Sequence, residues 1–176
     1  MKDGFIKVAA ASPMIKVADA EYNAGKVIEC MKKAADKGVK VLVFPELTLT
    51  GCSWYDLVGH SVILRGAERA LEKVIEASAG SDMLVIVGLP YAPRGGALYS
   101  VAAVISDGEL LGLVPRSETD GTLFAAADDD GGEETVCGKF DAFFDTELLF
   151  TSDVLPGLSV AVELGADADA IDAPAA

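Results

Sequence analysis

The sequence predicts a single α/β domain, and three observations carry that prediction. The chain has 176 residues, enough to bury one core. Its 51% hydrophobic and 24% charged residues are the composition of a globular protein. Short valine-rich runs alternate with stretches of helical period over the first two thirds, the pattern of helices laid on a largely parallel sheet.

The elements follow in order. "GFIKVAAAS" is a first strand. In "DAEYNAGKVIECMKKAADKG", Ala24, Val27, Ile28, Met31 and Ala35 recur at helical spacing, with Asp19 as a cap and Gly38 just beyond the last lysine. "VKVLVF" is a near-continuous apolar run, as expected of a strand covered on both faces. A second helix runs from about residue 61 to 79, with Val62, Gly66, Ala70, Leu71, Val74 and Ile75 on its apolar side. "DMLVIVGLP" is the next buried strand, and "ALYSVAAVI" and "LLGLVP" form a hairpin around Asp107-Gly108, a strong two-residue turn signal. The predicted order is therefore β-α-β-α-β-β.

Beyond Arg116 the composition changes. Fifteen of the 28 acidic residues lie after that position but only Lys139 of the 14 basic ones, so the whole net charge of −14 belongs to the last third. Residues 117–140 are expected to be an acidic, irregular loop. "TELLF" and "GLSVAVEL" read as strands on either side of the turn "SDVLPG". Residues 166–176 form a low-complexity tail.

These features exclude several function classes. A chain this acidic repels nucleic acid and anionic membranes, which bind through Lys and Arg. No apolar run approaches the roughly 18 residues of a membrane span. Asp3 interrupts the charged start, so the amino terminus is expected to be a strand and not a signal peptide, with a cytoplasmic location by default. Cys30, Cys52 and Cys137 are odd in number and lack metal-ligand spacing, so they are expected to be reduced thiols. "PRGGA" lacks the lysine and spacing of a phosphate-binding loop, and no cofactor is expected in this chain.

Chemistry in open α/β folds sits at the carboxyl ends of strands. In "VLVFPELTLTG" the proline ends strand pairing, so Glu46 projects into a loop or crevice. There it serves either as a general base or as a structural partner of backbone amides or a lysine.

"VKVLVFPELTLTG", "GFIKVAAASPMIKVADAEYNAGKVIE", "DMLVIVGLP", "LYSVAAVISDGELLGLVP" and "ELLFTSDVLPGLSVAVE" together give a second line of inference. In order and spacing the chain resembles the carbon-nitrogen hydrolase (nitrilase) superfamily, and within it the amino-terminal glutaminase domain of bacterial glutamine-dependent NAD synthetases. The resemblance implies a four-layer αββα sandwich and a Glu-Lys-Cys triad. In that triad the thiolate attacks the glutamine amide, the glutamate moves the proton and the lysine stabilises the oxyanion. It also implies that ammonia passes to a synthetase portion, and that ATP and the dinucleotide are bound there.

Carried over by position, Glu46 of "FPEL" takes the base position. Arg116 of "GLVPRSE" stands at the family lysine position, and the change is not conservative at a tight oxyanion site. Family members read Val-Glu-Ile-Cys-Glu-Asp-Leu-Trp at the nucleophile strand; "VELGADAD" puts Gly165 at the cysteine position. The resemblance thus implies a partial domain, truncated after that strand. Neither Ser159, which has no histidine partner, nor His60, a loop or helix-start residue, replaces the thiol. Cys30, Cys52 and Cys137 are better read as small hydrophobes.

Three readings stay open. One is a glutaminase-type domain inactive as written. Another is a stand-alone amidase acting on glutamine or a small amide with an altered nucleophile. The last is a non-catalytic module that forms homo-oligomers through sandwich faces.

Overall fold

The computed structural model describes residues 5–53, 55–93, 96–119, 121–127, 132–153 and 155–169. The elements are β1 (Val8–Ala10), α1 (Ala20–Asp36), β2 (Val41–Val43), α2 (Ser61–Ser78), β3 (Leu84–Tyr91), β4 (Tyr99–Ser106), β5 (Glu109–Pro115), β6 (Glu133–Cys137), β7 (Phe140–Phe144), β8 (Phe150–Thr151) and β9 (Ser159–Val160). The first seven strands make one sheet in the order β1-β2-β3-β4-β5-β7-β6, and β8 and β9 pair separately. β1, β2 and β3 run parallel, with α1 and α2 as the crossovers, and β3, β4 and β5 are antiparallel neighbours.

Alternation along the central strands divides the core between the two faces of the sheet. On one face Leu42, Val85, Val87, Val101 and Leu113 meet Val27 of α1 and Leu71, Val74 and Ile75 of α2. On the other, Val41, Ile86, Ala102, Val104 and Val114 are covered by Phe150, Val160 and Leu164. The described residues thus comprise a helix layer, a large sheet and the two-stranded start of a second sheet, three of the layers expected of an αββα sandwich.

Local chemistry explains the boundaries. Asp19 caps α1 by accepting the Tyr22 amide at 3.1 Å. Asp107 and Gly108 have φ of 48° and 79°, the type I′ geometry that two-residue hairpins favour.

The helix faces differ in detail from those expected. On α1 the buried stripe includes Ala34, and Ala35 is exposed, because steps of three and four from Ala24 through Val27 and Met31 lead to Ala34. On α2, Val62 is 68% exposed. It lies about two and a half turns before Leu71 and so on the opposite side. Ala67 and Ser78 complete the buried stripe instead.

The acidic segment expected to be irregular over 117–140 contains β6. Thr135 and Cys137 turn inward and pair in register with Ala142 and Phe140 of β7, which stabilises a strand despite Glu133 and Glu134. The expected strands "TELLF" and "GLSVAVEL" shrink to the two-residue β8 and β9. Within 166–176, Asp167–Asp169 form a short 3-10 helix; residues 170–176 lie outside the described residues.

Candidate active site

Glu46 stands in a turn just past β2, and the turn is shaped from three sides. Leu47 has φ of 55°, a left-handed conformation that costs a non-glycine residue about 1–2 kcal/mol. It is held there by the Thr50 and Gly51 amides, which donate to its carbonyl at 3.1 and 2.7 Å. Beneath it, β3 comes so close that a Cβ on Gly88 would lie 2.5 Å from the Leu47 nitrogen and 2.8 Å from Glu46 Cα. From α1, the fully buried Asn23 donates to the Leu49 carbonyl at 3.0 Å. Strain in this turn is therefore fixed by the surrounding structure.

The Glu46 carboxylate has two neighbours. Ser100 of β4, with no exposed surface, donates its hydroxyl to Glu46 Oε1 at 2.6 Å. Arg116, the first residue after β5, places Nη1 3.6 Å from the same oxygen, an ion pair too long for a hydrogen bond. A third of the Glu46 side chain and a quarter of that of Arg116 remain exposed, so water still screens the pair in part. Ser100 also accepts the Arg116 amide on its carbonyl at 3.0 Å, so one β4 residue locates both charges.

Gly165 completes the group. Its φ is 59°, and a Cβ built on it would meet Arg116 Cζ at 2.8 Å, Nε at 2.9 Å and Nη2 at 3.0 Å. The guanidinium lies flat against the space where a side chain at 165 would begin. Arg116 Nε is buried there without a hydrogen-bond partner. All three positions singled out from the sequence are thus brought together: Arg116 touches Glu46 on one side and Gly165 on the other.

Glu46 and Gly165 also line a pocket of about 110 Å³, walled by Val43, Ile86, Gly88 and Ala102. That volume corresponds to roughly three or four water molecules. Among its described lining residues there is no thiol or hydroxyl; the hydroxyl that reaches Glu46, that of Ser100, is fully buried and does not line the pocket.

The other candidates lie apart from this pocket. Cys30 is half-buried on α1, and Cys52 is exposed beyond the Glu46 turn. Cys137 is buried on β6, where burial, reinforced by Glu68 and Glu72 of α2, pushes its thiol up to about 12, the reverse of an activated nucleophile. His60 is the residue before α2, makes no side-chain cap, and is the helix-start residue expected. Ser159 lies on β9. No metal-holding cluster of His, Cys, Asp or Glu occurs among the described residues, and no described helix is long and apolar enough to cross a membrane.

Sequence reasoning missed Ser100, Asn23 and Asp167. Asp167 is 1% exposed, and its carboxylate accepts the Glu118 amide at 2.8 Å, the Leu164 amide at 3.2 Å and the Ser117 amide at 3.3 Å. An available signal was the aspartate two residues past the cysteine in the family motif, which "GAD" retains.

The family model described as Carbon-nitrogen hydrolase matches residues 7–141. The chain is 35% identical over 170 residues to the glutamine-dependent NAD(+) synthetase of Mycobacterium tuberculosis, covering 93% of this chain and 25% of that protein. The chain therefore spans about a quarter of the length of the mycobacterial relatives it matches. Among solved structures it superposes on a glutamine-dependent NAD(+) synthetase from Cytophaga hutchinsonii with a TM-score of 0.75 at 19% identity, over 84% of this chain and 26% of that one. An amidase from Nesterenkonia sp. matches with a TM-score of 0.58 at 15% identity, over 77% and 53% of the two chains.

Proposed function

The chain belongs to the carbon-nitrogen hydrolase family, and from that premise we propose that it is a glutaminase-type domain, of the kind found in glutamine-dependent NAD synthetases, that does not hydrolyse glutamine as written. The observation that carries this reading is the contact between Arg116 and Gly165. The position that the resemblance gives to the nucleophile has no side chain, and the guanidinium fills the space where one would begin.

The chemistry follows from what remains. Thiol-based amide hydrolysis needs sulfur to attack the carbonyl carbon, a base to take the thiol proton and return it to leaving ammonia, and a donor for the oxyanion. Glu46 can perform the proton transfers. Arg116 carries positive charge, but its planar head is engaged between Glu46 and Gly165. With no side chain at position 165 no acyl-enzyme forms there, and loss of the nucleophile is among the costliest single losses in such a site.

An assay of ammonia release from glutamine tests the proposal. The wild type is expected to release none above background, and the double variant Gly165→Cys/Arg116→Lys to gain activity that depends on Glu46. Ammonia release by the wild type that disappears in Glu46→Gln would overturn the proposal in favour of an amidase with an altered nucleophile.

A second reading, a module that pairs with another copy of itself, is favoured by one feature. Leu111, Val136 and Phe143, 36%, 51% and 54% exposed, line one groove on the outward face of β5, β6 and β7. Self-association in sedimentation equilibrium that Phe143→Asp abolishes supports it; a monomer at all concentrations rejects it.

A further inference from the structure

A residue that belongs to neither position is hydrogen-bonded to the segments that carry Arg116 and Gly165. Asp167 lies in the short helix after Gly165 and is almost wholly buried. Its Oδ1 accepts the Glu118 amide at 2.8 Å, and its Oδ2 accepts the Ser117 amide at 3.3 Å and the Leu164 amide at 3.2 Å. Ser117 is the residue immediately after Arg116, and Leu164 is the residue immediately before Gly165. One carboxylate therefore ties the chain leaving β5 to the turn that contains position 165.

We propose that Asp167 is a positioning residue that sets the Arg116 guanidinium over Gly165. On one side, the Arg116 backbone is anchored to β4 through Ser100 and, by its carbonyl, to the Ala127 amide at 3.1 Å. On the other, Leu164 is packed into the apolar cluster beneath β8 and β9. Each anchor fixes one segment to its own part of the fold, and the Asp167 carboxylate spans the two. A buried carboxylate is tolerated because backbone N–H groups surround it, and hydrogen bonds to an ionised acceptor are about twice as strong as neutral ones. The cradle suits an aspartate specifically. Asparagine keeps one acceptor but turns an NH₂ group towards amides that also donate, and alanine removes both acceptors.

The test uses the full chain and does not depend on turnover, so it fails independently of the proposal on glutamine hydrolysis. Hydrogen exchange is read by NMR at the Ser117 and Glu118 amides and at the buried Nε–H of Arg116, in the wild type, Asp167→Asn and Asp167→Ala. The near-isosteric asparagine variant keeps the test valid should the alanine variant fail to fold. Asp107→Ala serves as a control, because it removes a different carboxylate-to-amide hydrogen bond, the exposed one from the Gly80 amide at 2.6 Å, elsewhere in the molecule. Exchange at all three protons is expected to rise by about tenfold or more in Asp167→Asn, and to stay near the wild-type rate in Asp107→Ala. Exchange within about twofold of wild type in Asp167→Asn overturns the proposal, and so does an equal rise in Asp107→Ala, because both mean that the carboxylate acts only on global stability.

Discussion

Ser100 donates to Glu46 at 2.6 Å from a site with no solvent exposure, while its own carbonyl receives the Arg116 amide. The position of a carboxylate on one loop and the start of another loop are thus set by a single residue of a central strand. Removing the hydroxyl leaves a buried methyl and frees Glu46 to follow solvent. Ser100→Ala is expected to destabilise the fold by about 1 kcal/mol, below the roughly 1.5–3 kcal/mol of a hydrogen bond to a charged acceptor, because Glu46 regains water. Urea denaturation measures the change; an unaltered midpoint rejects the role.

Gly165 and Arg116 are expected to be energetically coupled. Gly165→Cys alone forces a side chain to within about 3 Å of the guanidinium and onto a left-handed backbone, at a cost of about 2–4 kcal/mol. With Arg116→Lys, whose slender ammonium head can turn away, part of that cost returns, giving a coupling of about 1–2 kcal/mol. A double-mutant cycle by thermal denaturation reads it, and additive effects reject the contact.

Gly88→Ala tests the close approach of β3 to the Glu46 turn. The new methyl would press on backbone at 2.5–2.9 Å, and backbone cannot rotate away as a side chain can. A loss of about 3 kcal/mol or more is expected from chemical denaturation. A loss below about 1 kcal/mol would mean the turn is compliant.

Cys137 gives a pH signature. Its thiol keeps its proton up to about 12 when folded, against an ordinary value of 9.0. Between these values the unfolded chain binds fewer protons than the folded one, so this group's contribution, complete below 9.0, is lost as pH rises towards 12. Wild-type stability is expected to fall more steeply above pH 9.0 than that of Cys137→Ala, with equal slopes as the contrary result. Alkylation of the native protein is expected at exposed Cys52 well before Cys137.

Much of the fold was legible because its signals are local. Asp107-Gly108 specifies its turn whatever surrounds it, and Asp19 finds its amide three residues on. Val41–Val43 read as buried because parallel strands are apolar on both faces. Failures occurred where a distant partner decides. Glu133 and Glu134 look like loop residues until β7 pairs with them, and Ala34 and Ala35 are distinguished only by where the sheet lies. Glu46, Arg116 and Gly165 were picked out through a motif, and the structure brings them together. That Arg116 occupies the space above Gly165, and that Asp167 ties their segments, depend on residues about 50 positions apart in the chain.

The antiparallel run β3-β4-β5 closes over short connections, of which the last is Asp107 and Gly108 alone. The parallel pairs must wait for whole helices to cross, and such non-local pairing is slow. In kinetic terms, Ser100 and the start of the Arg116 loop are expected to assemble early, and the Gly165 turn to dock afterwards. Substitutions at Gly165 are therefore expected to raise the unfolding rate and leave the folding rate unchanged, which both arms of a chevron plot read directly. The lifetime of the native state, more than the speed of reaching it, then depends on the last contact made.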